Sequence, residues 1–346
     1  MPEFLRSVHL LGVALAIVTG VVFLLFAAAW RWRRRPLWPS PPTPLIATWT
    51  GGEILAAFLL FLMMPPLVTA LLQAMGFFTF VYGPDFPIVP PPDAEITAEE
   101  LRGFTLRHLW STLIALPIQL LILGYAMREM SRTRPSDLGL SLRTLPGAIP
   151  QAGITWLVIT PMVFVIFILA NVVFWWIARL EPDAHPLTQF GTAPGWLTWV
   201  LLGMQVLLCG PILEEIIFRG LLQPWIGDHP ERRLAVMVGA FLIALTFGMT
   251  KVDVPNWVRY APAMFVLAMC AVPMMLPSRP AFTAAFISAL LFAAFHSSVW
   301  PTPFPLLVLG LGLSWLRWRS GTLWAPILVH AGFNAVSYVY LAIGGK

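Results

Sequence analysis

Charge is scarce in this 346-residue sequence: aspartate, glutamate, lysine and arginine together make up 11% of it, against 58% hydrophobic residues. Globular chains carry about 25% charged residues, so a soluble domain of this length is excluded. Cysteine is scarcer still. Cys209 and Cys270 are the only two, each inside an apolar run, which excludes a disulfide framework or a cysteine-based zinc site. Period-2 alternation of apolar and polar residues is missing from the apolar runs, which excludes a transmembrane β-barrel. Three hydrolytic plans are also missing: no His-Glu-x-x-His, no Gly-x-Ser-x-Gly and no pair of aspartates within the apolar runs.

What remains is a polytopic membrane protein, all-α, a transmembrane helical bundle of about 8–10 membrane segments. The formal net charge of +5 gives no reason to invoke nucleic acid, because the basic residues stand in short loops beside apolar runs, where positive-inside bias accounts for them. The first run, Val8 to Trp30, has its charge after it, in Arg31 to Arg35. A secretory signal has its charge before the run. An uncleaved anchor with its N-terminus outside is therefore expected, followed by a proline-rich connector from Pro36 to Pro44. Segment two, Thr50 to Phe80, is expected to kink or break at Pro65-Pro66. An acidic loop from Tyr82 to Arg107 suits the outer side, and Thr97-Ala-Glu-Glu100 within it has the pattern of a helix start.

Further segments are expected at His108–Met127, Ala148–Ala178, Trp196–Leu222, Leu234–Thr250, Pro262–Leu276, Ala281–Val299 and Thr322–Ile343, with a shorter run from Leu306 to Leu316. A short, mildly acidic loop, Glu181 to Pro186, precedes the fifth segment. Ala240–Lys251 aligns without gaps on Ala285–His296, placing Lys251 where His296 stands. Two regions follow: 1–145, N-terminal helices and loops, and 146–346, a core with an inserted helical pair at about 234–280.

The fifth segment ends in Gly210-Pro-Ile-Leu-Glu-Glu-Ile-Ile-Phe-Arg-Gly220. Each charge in lipid costs about 2.5–3.5 kcal/mol on insertion scales, so two adjacent glutamates demand a reason. Neighbouring helical residues point about 100° apart, which stops Glu214 and Glu215 from sharing one partner direction. Arg219, at i+4 from Glu215, is expected to pair with it. Glu214 then needs something else to face. Of six histidines, only His296 and His330 interrupt apolar runs, and Asn334 stands at i+4 from His330 on the same face. Each histidine alone reads equally well as a core residue satisfied by a backbone carbonyl. Together with Asn334 and Glu214 they form a polar cluster suited to chemistry: a carboxylate base, an imidazole that shares a water or binds a metal, and an amide donor for an oxyanion. Such parts fit water attack on a carbonyl.

In that order, Glu214-Glu215-x-x-x-Arg219, Phe292-x-x-x-His296 and His330-x-x-x-Asn334 resemble the CPBP family, the type II CAAX prenyl proteases and Abi-like bacteriocin-processing or immunity proteins. The resemblance runs from about Trp196 to Tyr340. It implies an intramembrane endopeptidase acting on a membrane-associated protein or peptide within the lipid bilayer. It implies that Glu214 activates water with His296, that His330 and Asn334 form the oxyanion side, and that Glu215, Arg219 and Phe292 give support. It leaves open whether a divalent metal such as zinc takes part; Glu214, His296 and His330 are the ligands such an ion would use. The alternatives are a non-catalytic scaffold or immunity-type binding protein that keeps the cluster for structure, or a transporter. Loop charges and composition suit a bacterial cytoplasmic membrane.

Overall fold

The computed structural model describes residues 46–84, 86, 97–179, 195–250, 254–275 and 280–342. The segment Val8–Trp30 with its arginine cluster and proline connector, most of the acidic loop, the Glu181–Pro186 loop and Lys251 lie outside the described residues. Among those described, every regular element is helical. In chain order they are α1 (Gly51–Ala74), α2 (Phe77–Tyr82), α3 (Ala98–Met130), α4 (Leu145–Ala178), α5 (Trp196–Asp228), α6 (Arg233–Met249), α7 (Asn256–Met269), α8 (Ala271–Met275), α9 (Pro280–Phe295), α10 (Pro303–Ser320) and α11 (Trp324–Ala342). Among the described residues, seven spans are long and apolar enough to cross a membrane: α1, α3, α4, α5, α6, the α7–α8 pair and α11. The helix α9 is apolar but shorter. The protein is an integral membrane protein with an all-α polytopic fold.

Two expectations about boundaries need refinement. No break falls at Pro65-Pro66: α1 runs through both prolines to Ala74, and Gly76 just beyond it has a left-handed φ of 68°. Pro65 has no N–H for the carbonyl four residues back, that of Phe61. Gln119 of α3 supplies the missing donor: its Nε2 lies 3.3 Å from Phe61 O and 3.1 Å from Leu60 O. In lipid a broken helix would strand backbone groups, so a neighbouring amide that repairs the gap keeps the helix whole. The second refinement is the start of α3, ten residues before His108. Thr97 caps it as the pattern foretold, with Glu100 N donating to Thr97 Oγ1 (3.2 Å) and Thr97 N to Glu100 Oε2 (2.8 Å). The polar first turns hid its true length from hydropathy.

The chain folds into two compact units interleaved along the sequence. Unit I comprises the described residues within Thr48–Asp137, Ala184–Ile217 and His330–Lys346. Its core joins Leu106 and Leu109 of α3 to Leu201 and Leu202 of α5, with Tyr338 and Leu341 of α11 packed against them. The pair α1–α3 is tied by Thr69 Oγ1 donating to Ser111 Oγ at 2.7 Å.

Unit II comprises the described residues within Met1–Ala47, Leu138–Asp183 and Phe218–Val329. Here α9 is the central helix, packed against α6, α10 and the last turns of α5. It is buried from Thr283 to Ala294 with a single intermediate residue, Ala285, as expected of a helix apolar all round. The glycines of the 310–312 stretch let helices approach: a Cβ on Gly310 would lie 3.0 Å from Ala289 Cβ. The loop before α4 is clasped to the α10–α11 turn, where Thr322 Oγ1 and Leu323 N both donate to Gly139 O and Trp324 Nε1 donates to Ser141 O.

Candidate active site

The helix α5 carries the site, and it is not a regular α-helix. Gln205–Cys209 and Ile216–Leu222 are π-helical, and the α-helical turn Gly210–Glu215 between them presents the two glutamates. Wider π turns re-aim side chains and often occur where function demands it.

Within unit I, Glu214, Glu215 and His330 come together. Glu215 is fully buried, and its Oε1 lies 2.9 Å from His330 Nδ1. His330, also buried, directs its Nε2 toward Glu214 Oε2 at 3.8 Å. A carboxylate accepts, so Nδ1 carries a proton. In the neutral ring the lone pair is then on Nε2, the nitrogen that faces Glu214. The two carboxylates differ in access: the Glu214 side chain is 18% exposed and that of Glu215 is 0%. Gly210 leaves space beside Glu214, since a Cβ there would stand 3.6 Å from Glu214 Oε1. The spacing along the sequence assigned the histidines to Glu214 and Arg219 to Glu215. In the structure the shorter histidine contact belongs to Glu215.

Asn334 follows His330 by one turn of α11, and its Nδ2 donates to Val206 O at 2.8 Å. One of its two amide hydrogens is therefore engaged with backbone, which an oxyanion role assigned from sequence did not foresee. Tyr338, a turn further on, was missed. Its hydroxyl donates to Trp199 O at 2.7 Å, and its ring meets that of Trp199 edge-on. The available signal was the four-residue spacing 330, 334, 338 on one helix face.

Within unit II, Arg219 is fully buried. Its guanidinium lies 4.5 Å over the Phe292 ring and 5.7 Å from that of Phe218, and Nη2 donates to Gly310 O at 3.3 Å. Phe218 and Phe292 themselves meet edge-on at 5.4 Å. Phe292 therefore supplies a π face to a cation as well as bulk to the core. His296 follows the end of α9, half-buried, with Nδ1 2.9 Å from Phe292 O. A carbonyl only accepts, so Nδ1 donates and Nε2 of the neutral ring holds the lone pair. The carbonyl-satisfied state considered for a core histidine thus applies to one nitrogen only.

A metal fits this donor set incompletely. His330, with Nδ1 on a carboxylate and Nε2 turned away, has the orientation that carboxylates impose on metal-binding histidines. However, among the described residues no three histidine, cysteine, aspartate or glutamate side chains are grouped so as to hold an ion.

Comparison with known protein families places the C-terminal region. Residues 194–276 and 270–336 match the family model described as Rce1-like, type II CAAX prenyl endopeptidase Rce1-like. The matched region holds Glu214, Glu215, Arg219, Phe292, His296, His330 and Asn334. No curated protein and no solved structure matches the chain.

Proposed function

Given a C-terminal region of the Rce1-like type II CAAX prenyl endopeptidase family, we propose that this membrane protein is an intramembrane endopeptidase that cleaves a membrane-associated protein or peptide with a glutamate-activated water. The observation that carries the proposal is the Glu215–His330–Glu214 chain, at 2.9 Å and 3.8 Å. A fully buried carboxylate fixes the ring, and the ring faces the more accessible carboxylate. That is the orienter–imidazole–reactive-group pattern of hydrolytic sites.

In this proposal Glu214 takes a proton from water as the water oxygen attacks the scissile carbonyl carbon, and later passes that proton to the leaving amine. His296 is assigned to the same water by family resemblance, through the Nε2 lone pair that its bond to Phe292 O leaves available. The oxyanion role for His330 requires the doubly protonated ring, in which both nitrogens donate. For Asn334 it requires the amide hydrogen not engaged with Val206 O. Glu215 holds His330, and Arg219 with Phe292 braces the helix that bears the glutamates. Positive-inside bias supports an N-terminus on the outer side.

Cleavage of a quenched fluorescent peptide anchored in liposomes tests the proposal. The parent cleaves it and Glu214→Ala does not. Equal rates from the two proteins would overturn the assignment.

A further inference from the structure

The geometry points to Tyr338 as a positioning residue: with Asn334 and the π-helical turn Gln205–Cys209, it sets the register of α11 on α5 that brings His330 against Glu214. The inference rests on the hydrolytic reading of that cluster and extends it to residues outside the reacting groups.

In an α-helix the Val206 carbonyl would accept from the N–H of residue 210, four positions on. Gly210 N donates instead to Gln205 O, five positions back, which is the π pattern. The π-type donor for Val206 O would be residue 211, but that residue is Pro211, which has no N–H. Neither helical pattern can satisfy this carbonyl. A stranded carbonyl in a membrane interior is costly, so a side-chain donor is needed, and Asn334 Nδ2 provides it at 2.8 Å. The defect in α5 and the amide of α11 thus specify one another. Slipping α11 by one residue would strand Val206 O and turn the amide away.

One such bond fixes a point, and two fix a direction. Tyr338 supplies the second point, at Trp199 O, seven residues before Val206 on α5. Its ring lies on Gly203, where a Cβ would be 3.1 Å from the tyrosine oxygen and 3.2 Å from Cζ. Any larger residue at 203 would lift the ring. His330, Asn334 and Tyr338 therefore meet α5 at Glu215, Val206 and Trp199, three polar contacts on successive turns of one face. Tyr338 lies two turns from the imidazole, so it touches no reacting atom and acts through the helix.

Tyr338→Phe removes only the hydroxyl, and Gly203→Ala displaces the ring. Each is to be compared with the parent by kcat and KM and by the ring 15N signals of His330, assigned with His330→Gln. Misplacement of reacting groups by about 1 Å costs about 10²-fold in rate, so a partial loss of register is expected to lower kcat by roughly 10-fold with KM unchanged. The His330 ring signals should shift from the parent's as the Nδ1–H bond to Glu215 weakens. His330 signals identical to the parent's in both variants would overturn the inference, whatever happens to the rate. If the parent itself cleaves nothing, the hydrolytic proposal fails. The 15N signals then still decide whether Tyr338 positions the ring.

Discussion

Glu214 and Arg219 stand five residues apart on one helix, yet belong to different compact units and have different surroundings. In unit I the acidic groups meet an imidazole, whose two ring nitrogens can donate and accept. In unit II the guanidinium lies against a carbonyl oxygen and two aromatic faces. A guanidinium stays charged under all ordinary conditions. On the proposed function the first setting moves a proton, while the second holds a shape. Charge in lipid is therefore no single signal of function: the partner decides whether it serves chemistry or packing.

Substitutions should divide along that line. The largest effect on rate is expected at Glu214: Glu214→Gln should lower kcat by about 10²–10⁴-fold, the contribution of a positioned general base, with the unfolding midpoint in detergent unchanged. Asn334→Ala should cost up to about 10²–10³-fold if its free amide hydrogen serves the oxyanion. A loss nearer 10-fold would mark it as a positioning group alone. On the other side of the comparison, Arg219→Ala should act on stability first, by about 2 kcal/mol or more for a desolvated cation–π contact, measured by denaturant unfolding in micelles. The smallest effect is expected from Ser288→Ala. Ser288 Oγ donates to Phe218 O at 2.8 Å, and losing that bond should cost about 0.5–1.5 kcal/mol in stability with little change in kcat.

Much of this was legible before any coordinates. Long apolar runs foretold α4, α6 and α11 within a few residues, because lipid admits little else. The Thr97–Glu100 cap was visible as a pattern, but the length of α3 was not, since its first turns are polar. Pro65-Pro66 misled because the repair comes from Gln119, more than fifty residues away. Hydropathy also could not announce the π turns of α5, although Gly210-Pro211 contained the reason for one of them. Among the charged residues, helical spacing proposes partners along one helix only. The nearest imidazole to Glu215 comes from a helix more than a hundred residues on.

On the proposed function the adjacent carboxylates divide the labour, Glu214 reacting and Glu215 holding His330. Single-turnover cleavage by Glu214→Gln and Glu215→Gln, with the His330 ring 15N signals recorded for each, tests it most directly. The expectation is that Glu214→Gln slows cleavage by about 10²–10⁴-fold and leaves the His330 Nδ1 signal in place, whereas Glu215→Gln shifts that signal and loses rate as a consequence. Cleavage by Glu214→Gln at the parent's rate, or an unchanged His330 Nδ1 signal in Glu215→Gln, would contradict it.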